Sequence, residues 1–227
     1  VKLRYPILII NFKTYIEATG RRALELAKTA EKIAKEYDVS IAVAPQHVDL
    51  RLVAENVEIP VLAQSADPEP PGAHTGHISL EAIKEAGAIG VILNHSEKRV
   101  RIDQAREIIE RCRKLDLTVV ACAAVPVEAA AIAILGPEAV AIEPPELIGT
   151  GRAVSREKPE VVTNGVNMVK KVAPQVHVLC GAGVESGEDV RRALELGAEG
   201  VLVASAIVKA KDWNEKIREM ARELRTS

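Results

Sequence analysis

The sequence predicts an α/β fold, a (β/α)8 barrel built as a single domain over residues 1–227. Three observations predict it. Short β-branched runs alternate with charged helical stretches from end to end of the chain. Eight of those runs are apolar on both faces, as parallel strands covered on both sides must be. One αβ unit nearly repeats: "EAGAIGVIL" (85–93) matches "ELGAEGVLV" (195–203) in its helix end, glycine stop and strand. Similar units in both halves argue for a cyclic arrangement, and about 230 residues suit a barrel at the short end of its range. A doubly wound open sheet is the competitor. Its dinucleotide-binding version is disfavoured, because no Gly-x-Gly-x-x-Gly follows the first strand.

In chain order, strands are expected over 7–11, 40–44, 61–64, 90–95, 118–123, 139–143, 176–181 and 200–205. Helical spacing of apolar residues appears at Leu26, Ala30, Ile33 and Tyr37. It recurs at Ala105, Ile108, Ile109 and Cys112, and at Trp213, Ile217, Met220 and Leu224. "ESGED" offers Ser186 as an N-cap with Asp189 three residues on, a capping-box-like start. The turn-rich stretch 66–77 reads as a loop projecting from strand three.

Composition narrows the function classes. Hydrophobic residues make up 48% of the chain, ample for a core, and only 2% are aromatic, so that core is aliphatic. A net charge of −2 implies no basic face for nucleic acid. Cys112, Cys122 and Cys180 are an odd, scattered set that suggests neither a disulfide framework nor a metal knuckle. The opening "VKLRYPILII" is too short in its apolar part for a signal peptide, and no run approaches the roughly 20 residues of a membrane helix. A soluble, cytoplasmic protein is expected. Sparse Asn and Gln beside plentiful Lys, Arg and Glu lean toward a thermophilic source.

A barrel of this kind works at the C-terminal ends of its strands. There the chain carries Asn11 and Lys13 after strand one, and Gln64 after strand three. Asn94, His95, Ser96 and Glu97 follow strand four, and Glu143 closes strand six. Gly181, Ala182 and Gly183, then Ala204 and Ser205, are small residues that leave backbone N–H groups accessible to a phosphate. An acid, an imidazole and an ammonium at one mouth suit proton shuffling beside a carbonyl: the carboxylate takes a proton, the imidazole polarises the oxygen, and the cation offsets the charge. A Schiff-base aldolase using a lysine, or a non-catalytic phosphate-binding barrel, would use the same scaffold.

Four stretches carry a family resemblance. "NFKTY", "LNHSEKR", "AIEPPELIGTG" and "GAHTGHIS" occur in order and resemble the Asn-x-Lys opening, His-Ser-Glu segment, lid and interface loop of the triosephosphate isomerases. The short chain and the form of the lid look like the family's archaeal branch. The resemblance implies interconversion of dihydroxyacetone phosphate and D-glyceraldehyde 3-phosphate, with no metal or organic cofactor. It makes Glu143 the base, His95 the electrophile, Lys13 the cation with Asn11 beside it, and Glu97 the residue that orients Lys13. Ile148 and Gly149 of the lid join 181–183, Ala204 and Ser205 around the phosphate. It also implies a homo-oligomer, a tetramer on the archaeal likeness, with Thr75 near a partner's site.

The family's habit is departed from in two places. Gly183 stands where a serine is common, and Ala204 with Ser205 replaces a glycine pair. Ser96 after His95 is read as the N-cap of a following helix, whose positive end would favour an uncharged imidazole. His74 and His77 read as interface packing, Cys180 as a packed small residue, and Glu146 as a surface charge.

Overall fold

Eight parallel strands close into a barrel: β1 (Ile7–Asn11), β2 (Ser40–Ala44), β3 (Leu62–Ala63), β4 (Gly90–Leu93), β5 (Thr118–Ala123), β6 (Ala139–Ile142), β7 (His177–Cys180) and β8 (Gly200–Val203). The computed structural model describes residues 2–225; residues 1, 226 and 227 of the expected domain lie outside the described residues. β1 pairs with β8, with Ile7 opposite Gly200 and Ile10 opposite Val203. Between β2 and β3 the ring is completed by a single bridge, Val43 to Val61. The open-sheet alternative is thereby excluded.

The helices follow as α1 (Arg21–Tyr37), α2 (Leu50–Ala54), α3 (Leu80–Glu85), α4 (Ile102–Lys114), α5 (Pro126–Ala133), α6 (Val154–Glu157), α7 (Pro159–Val172), α8 (Gly187–Glu195), α9 (Ser205–Val208) and α10 (Trp213–Glu223). The expected apolar stripes of α1, α4 and α10 face the strands, with Ile33, Ile108 and Met220 fully buried. Ser186 caps α8 and shares a capping box with Asp189, as read from the sequence.

Strand periodicity sorts the core into two compartments. Ile7, Ile9, Ala42, Ala44, Ile92, Val120, Cys122, Ala139, Ala141, Leu179 and Leu202 fill the lumen. Their neighbours Leu8, Ile10, Val43, Val91, Val140 and Val201 face the helices. Alanines on β2 and β6 against larger residues on β1, β4 and β8 let the lumen close without aromatic rings. Tyr5 stacks on His177 with ring centroids 3.6 Å apart, below the lumen at the N-terminal end of β7. His177 also has a partner the sequence did not reveal, Glu199 Oε2 at 2.5 Å from Nδ1.

The repeated units share their turn chemistry. α3 and α8 both end in a left-handed glycine, Gly87 at φ +90° and Gly197 at φ +93°. Ala88 N–H then returns to the Ile83 carbonyl (3.3 Å) and Ala198 N–H to that of Ala193 (3.1 Å). Each following strand opens on a glycine pressed against its neighbour's backbone. A Cβ at Gly90 would lie 2.2 Å from the Thr118 carbonyl oxygen, and one at Gly200 would lie 2.2 Å from that of Ile7. Gly90→Ala should therefore destabilise the fold by about 2–3 kcal/mol. A denaturant titration checks it; an unchanged midpoint would contradict the close approach.

Candidate active site

At the C-terminal end of the strands the inward alternation runs on to the barrel mouth. Asn11 extends the Ile7, Ile9 series, Glu143 the Ala139, Ala141 series, and Gly181 follows Leu179. These three therefore inherit positions aimed at the barrel axis. His95 has the opposite parity on β4. Asn94, in the left-handed region at φ +60°, breaks the alternation and turns the histidine into the mouth. Asn94 also pins that loop, donating to the Cys122 carbonyl (3.0 Å) and accepting from Val100 N–H (3.1 Å).

Asn11, Lys13, His95, Glu143, Ile148, Gly149, Gly181, Gly183, Ala204 and Ser205 line one small cavity of about 30 Å³. The predicted acid, imidazole and ammonium thus meet in one place. Ala182 does not line it: the residue is buried, and its carbonyl accepts Val154 N–H at 3.1 Å. Gly181 spends its N–H on the Ile142 carbonyl (3.0 Å). Its part is clearance, because a Cβ there would fall 2.5 Å from Glu143 Cγ. Glu97 stays outside the lining and reaches in through Lys13, whose Nζ lies 2.9 Å from Oε1. Thr75 is exposed on the 66–77 loop and lines no part of the cavity.

Glu143 is 3% exposed, and its Oε2 has no hydrogen-bond partner among the described residues. That oxygen lies 3.5 Å from His95 Nε2. The other ring nitrogen, Nδ1, accepts the backbone N–H of Glu97 at 3.1 Å and so carries no proton. The proton of the neutral ring then sits on Nε2, facing the cavity. This corrects the sequence reading of Ser96. The chain makes a turn after His95, with Lys98 N–H on the His95 carbonyl at 2.8 Å, and the helix begins only at Ile102. No helix N-terminus adjoins His95; a single backbone N–H sets its tautomer instead.

Lys13 sits in the left-handed region at φ +47°. Two side chains hold it there. Asn11 Oδ1 accepts its N–H (3.0 Å), and Gln64 donates to its carbonyl (2.8 Å) and to that of Ala44 (3.0 Å). Sequence reasoning placed Gln64 and Asn94 at strand ends without giving them a task; their signal was position, since each lies two residues beyond an inward-facing residue. Val184, Glu185, Leu202 and Val203 also line the cavity and were missed. Burial raises the Glu185 carboxyl above its usual range, against the opposing pull of Lys216.

The lid lies over the mouth, with Ile148 and Gly149 in the cavity wall and Leu147 buried. Gly149 and Gly151 are left-handed at φ +69° and +71°. The N–H groups of Gly149 and Gly183 meet no acceptor among the described residues. Glycine at 183 has a cause: φ is +68°, and a Cβ would fall 2.0 Å from the Arg152 carbonyl oxygen. Ala204 has negative φ (−128°), so a Cβ is tolerated where the family commonly has glycine. Ser205 opens α9, whose first N–H groups have no partner within the helix. Glu146 is exposed and pairs with Lys158. All three cysteines are free and buried. Burial pushes the Cys112 and Cys180 thiols up to about 12. Burial and the adjoining Glu143 carboxylate lift Cys122 well above its ordinary range.

A family model described as triosephosphate isomerase matches residues 6–220. The chain is 59% identical to a triosephosphate isomerase of Pyrobaculum arsenaticum, over 98% of this chain and 99% of that protein. It is 56% identical to one from Caldivirga maquilingensis over the same shares, and 52% identical to one from Methanothermus fervidus over 96% and 99%.

The site makes a spectroscopic prediction. Nitrogen-15 NMR at neutral pH should show His95 as the tautomer protonated on Nε2 alone. A ring protonated on Nδ1 would contradict the Glu97 contact.

Proposed function

The chain belongs to the triosephosphate isomerase family, and we propose that Glu143 alone carries the transferred proton of that family's reaction. The protein interconverts dihydroxyacetone phosphate and D-glyceraldehyde 3-phosphate through an enediolate, a step of glycolysis and gluconeogenesis. The observation that carries the proposal is the buried Glu143 oxygen, free of donors and 3.5 Å from His95 Nε2.

In this reading Glu143 removes a proton from the carbon beside the ketone and returns it to the neighbouring carbon. His95 donates its Nε2 hydrogen to each carbonyl oxygen in turn as negative charge gathers there. Lys13, held by Glu97, Asn11 and Gln64, offsets that charge. The unpaired N–H groups of Gly149, Gly183 and Ser205 receive the phosphate, with Ile148 and Ala204 packed around it. Binding there supplies energy at a distance from the reacting carbons. Every group that moves a proton is a side chain of the protein, so the step calls on neither a metal nor an organic cofactor.

A Schiff-base aldolase is not favoured: Lys13 Nζ is engaged by a carboxylate at 2.9 Å, whereas an imine-forming lysine must offer a free amine. A purely phosphate-binding barrel has no use for a buried, unpartnered Glu143.

The remaining expectations belong to the same proposal. Residues 1–227 form one domain, and the protein is cytoplasmic and heat-adapted, in keeping with its free thiols and many surface ion pairs. It assembles as a homotetramer. Ile16 and Val48, 77% and 82% exposed, together with the loop that carries Thr75, offer one contact surface. Val127 and Ile134 on and beside α5 offer a second.

A coupled isomerase assay tests the base. Glu143→Asp withdraws the carboxylate by one methylene and should cut kcat about 100- to 1,000-fold with KM changed only a few-fold. Normal turnover in that variant would overturn the assignment.

A further inference from the structure

The two ends of the lid are fastened differently. At the near end, Pro144 and Pro145 stiffen the chain next to Glu143. At the far end, residues 152–156 are fixed to the loop after β7. Val154 N–H donates to the Ala182 carbonyl at 3.1 Å. The Arg152 carbonyl oxygen occupies the space left by the missing side chain of Gly183. Ser155, fully buried, donates to the Asp189 carbonyl at 3.4 Å.

Asp189 joins these contacts. The sequence shows it only as the third residue of a helix start, a position usually bathed in solvent. Here its carboxylate is fully buried. Oδ2 accepts the N–H of Glu185 (2.9 Å), the N–H of Ser186 (3.0 Å) and the Ser186 hydroxyl (3.1 Å). Oδ1 accepts no aligned hydrogen bond but faces Arg156, whose Nε lies 2.6 Å away. Arg156 stands on α6, the helix that ends the lid, and its side chain is 48% exposed. A helix cap needs none of that second half. One carboxylate therefore holds, through its two oxygens, the loop that carries Gly183 and the far anchor of the lid.

We propose that Asp189, acting through Arg156, is a positioning residue for the isomerisation: it locks the lid's far anchor to the strand-seven loop so that the N–H groups of Gly149 and Gly183 meet the substrate phosphate as one unit. With residues 152–156 fixed, lid rotation is left to Gly149 and Gly151, the lid's own two residues with left-handed backbone. The proposal rests on the phosphate reading given above. It predicts a failure mode that a merely structural ion pair would not produce. A loosely seated lid exposes the enediolate to loss of phosphate: the C–O bond breaks, phosphate leaves with the bonding pair, the enediolate electrons form the new C=C bond, and the resulting enol takes a proton on carbon from water and gives up its hydroxyl proton to become methylglyoxal.

The test compares wild type with Asp189→Asn, Arg156→Met, Arg156→Lys and the double variant Arg156→Met/Asp189→Asn, well below their melting temperatures. It measures kcat, KM and the inorganic phosphate released per isomerisation. Asp189→Asn and Arg156→Met should each lower kcat/KM by about tenfold and raise the phosphate-release ratio several-fold. The double variant should be no worse than the worse single one, and Arg156→Lys should recover most of the loss. Lower melting temperatures with wild-type kinetics and product ratio would overturn the proposal, as would losses that multiply in the double variant. If Asp189→Asn fails to fold, the half-exposed Arg156 variants decide the question by themselves. Wild type without isomerase turnover would instead fail the functional reading.

Discussion

The Glu143 carboxylate is buried to 3% exposure and left without a donor opposite one oxygen, 3.5 Å from an imidazole N–H. Burying an ionised carboxylate without full compensation is unfavourable, so the surrounding chain must hold it there. Glu143 N–H is fixed to the Ala123 carbonyl at 2.8 Å, which ties the residue to β5. Two prolines follow it and limit bending. Gly181, with no Cβ, leaves the room the side chain occupies. Any added donor or solvent would satisfy the oxygen and blunt it as a base. The lid's position over the cavity and the buried aliphatic lumen beneath suit that same need.

The rest of the mouth works by indirect holding. Lys13 adopts a left-handed backbone only because Asn11 and Gln64 take its N–H and carbonyl. His95 is aimed by Asn94 and given its tautomer by Glu97 N–H. Asp189 holds the strand-seven loop and, through Arg156, the lid's end. Lys13 and His95 thus each have further polar groups behind them that decide their geometry.

Much of this was legible in the sequence because strand periodicity is simple. β1, β2 and β5 fall on the residues expected, and alternate apolar positions point to Asn11, Gln64 and Glu143 as axis-facing. β3 shrank from four residues to two, because Val61 makes only a bridge and Gln64 leaves the ladder to serve Lys13. Ser96 misled because serine is a favoured cap; the left-handed Asn94 sends the chain through a turn before α4 can begin. α5 was illegible, since "PVEAAAIA" is apolar all round and shows no stripe. The Arg156–Asp189 pair joins separate elements, and no local spacing reports it.

The central claim is that one buried carboxylate, with one oxygen left without a hydrogen-bond partner, moves the proton. Solvent-deuterium incorporation into dihydroxyacetone phosphate measures that transfer most directly. Wild type should place deuterium at the carbon that Glu143 faces. Glu143→Gln should reduce the rate by about three orders of magnitude while binding a phosphorylated substrate analogue with unchanged affinity. Incorporation that persists in Glu143→Gln would show that another group takes the proton and would contradict the account.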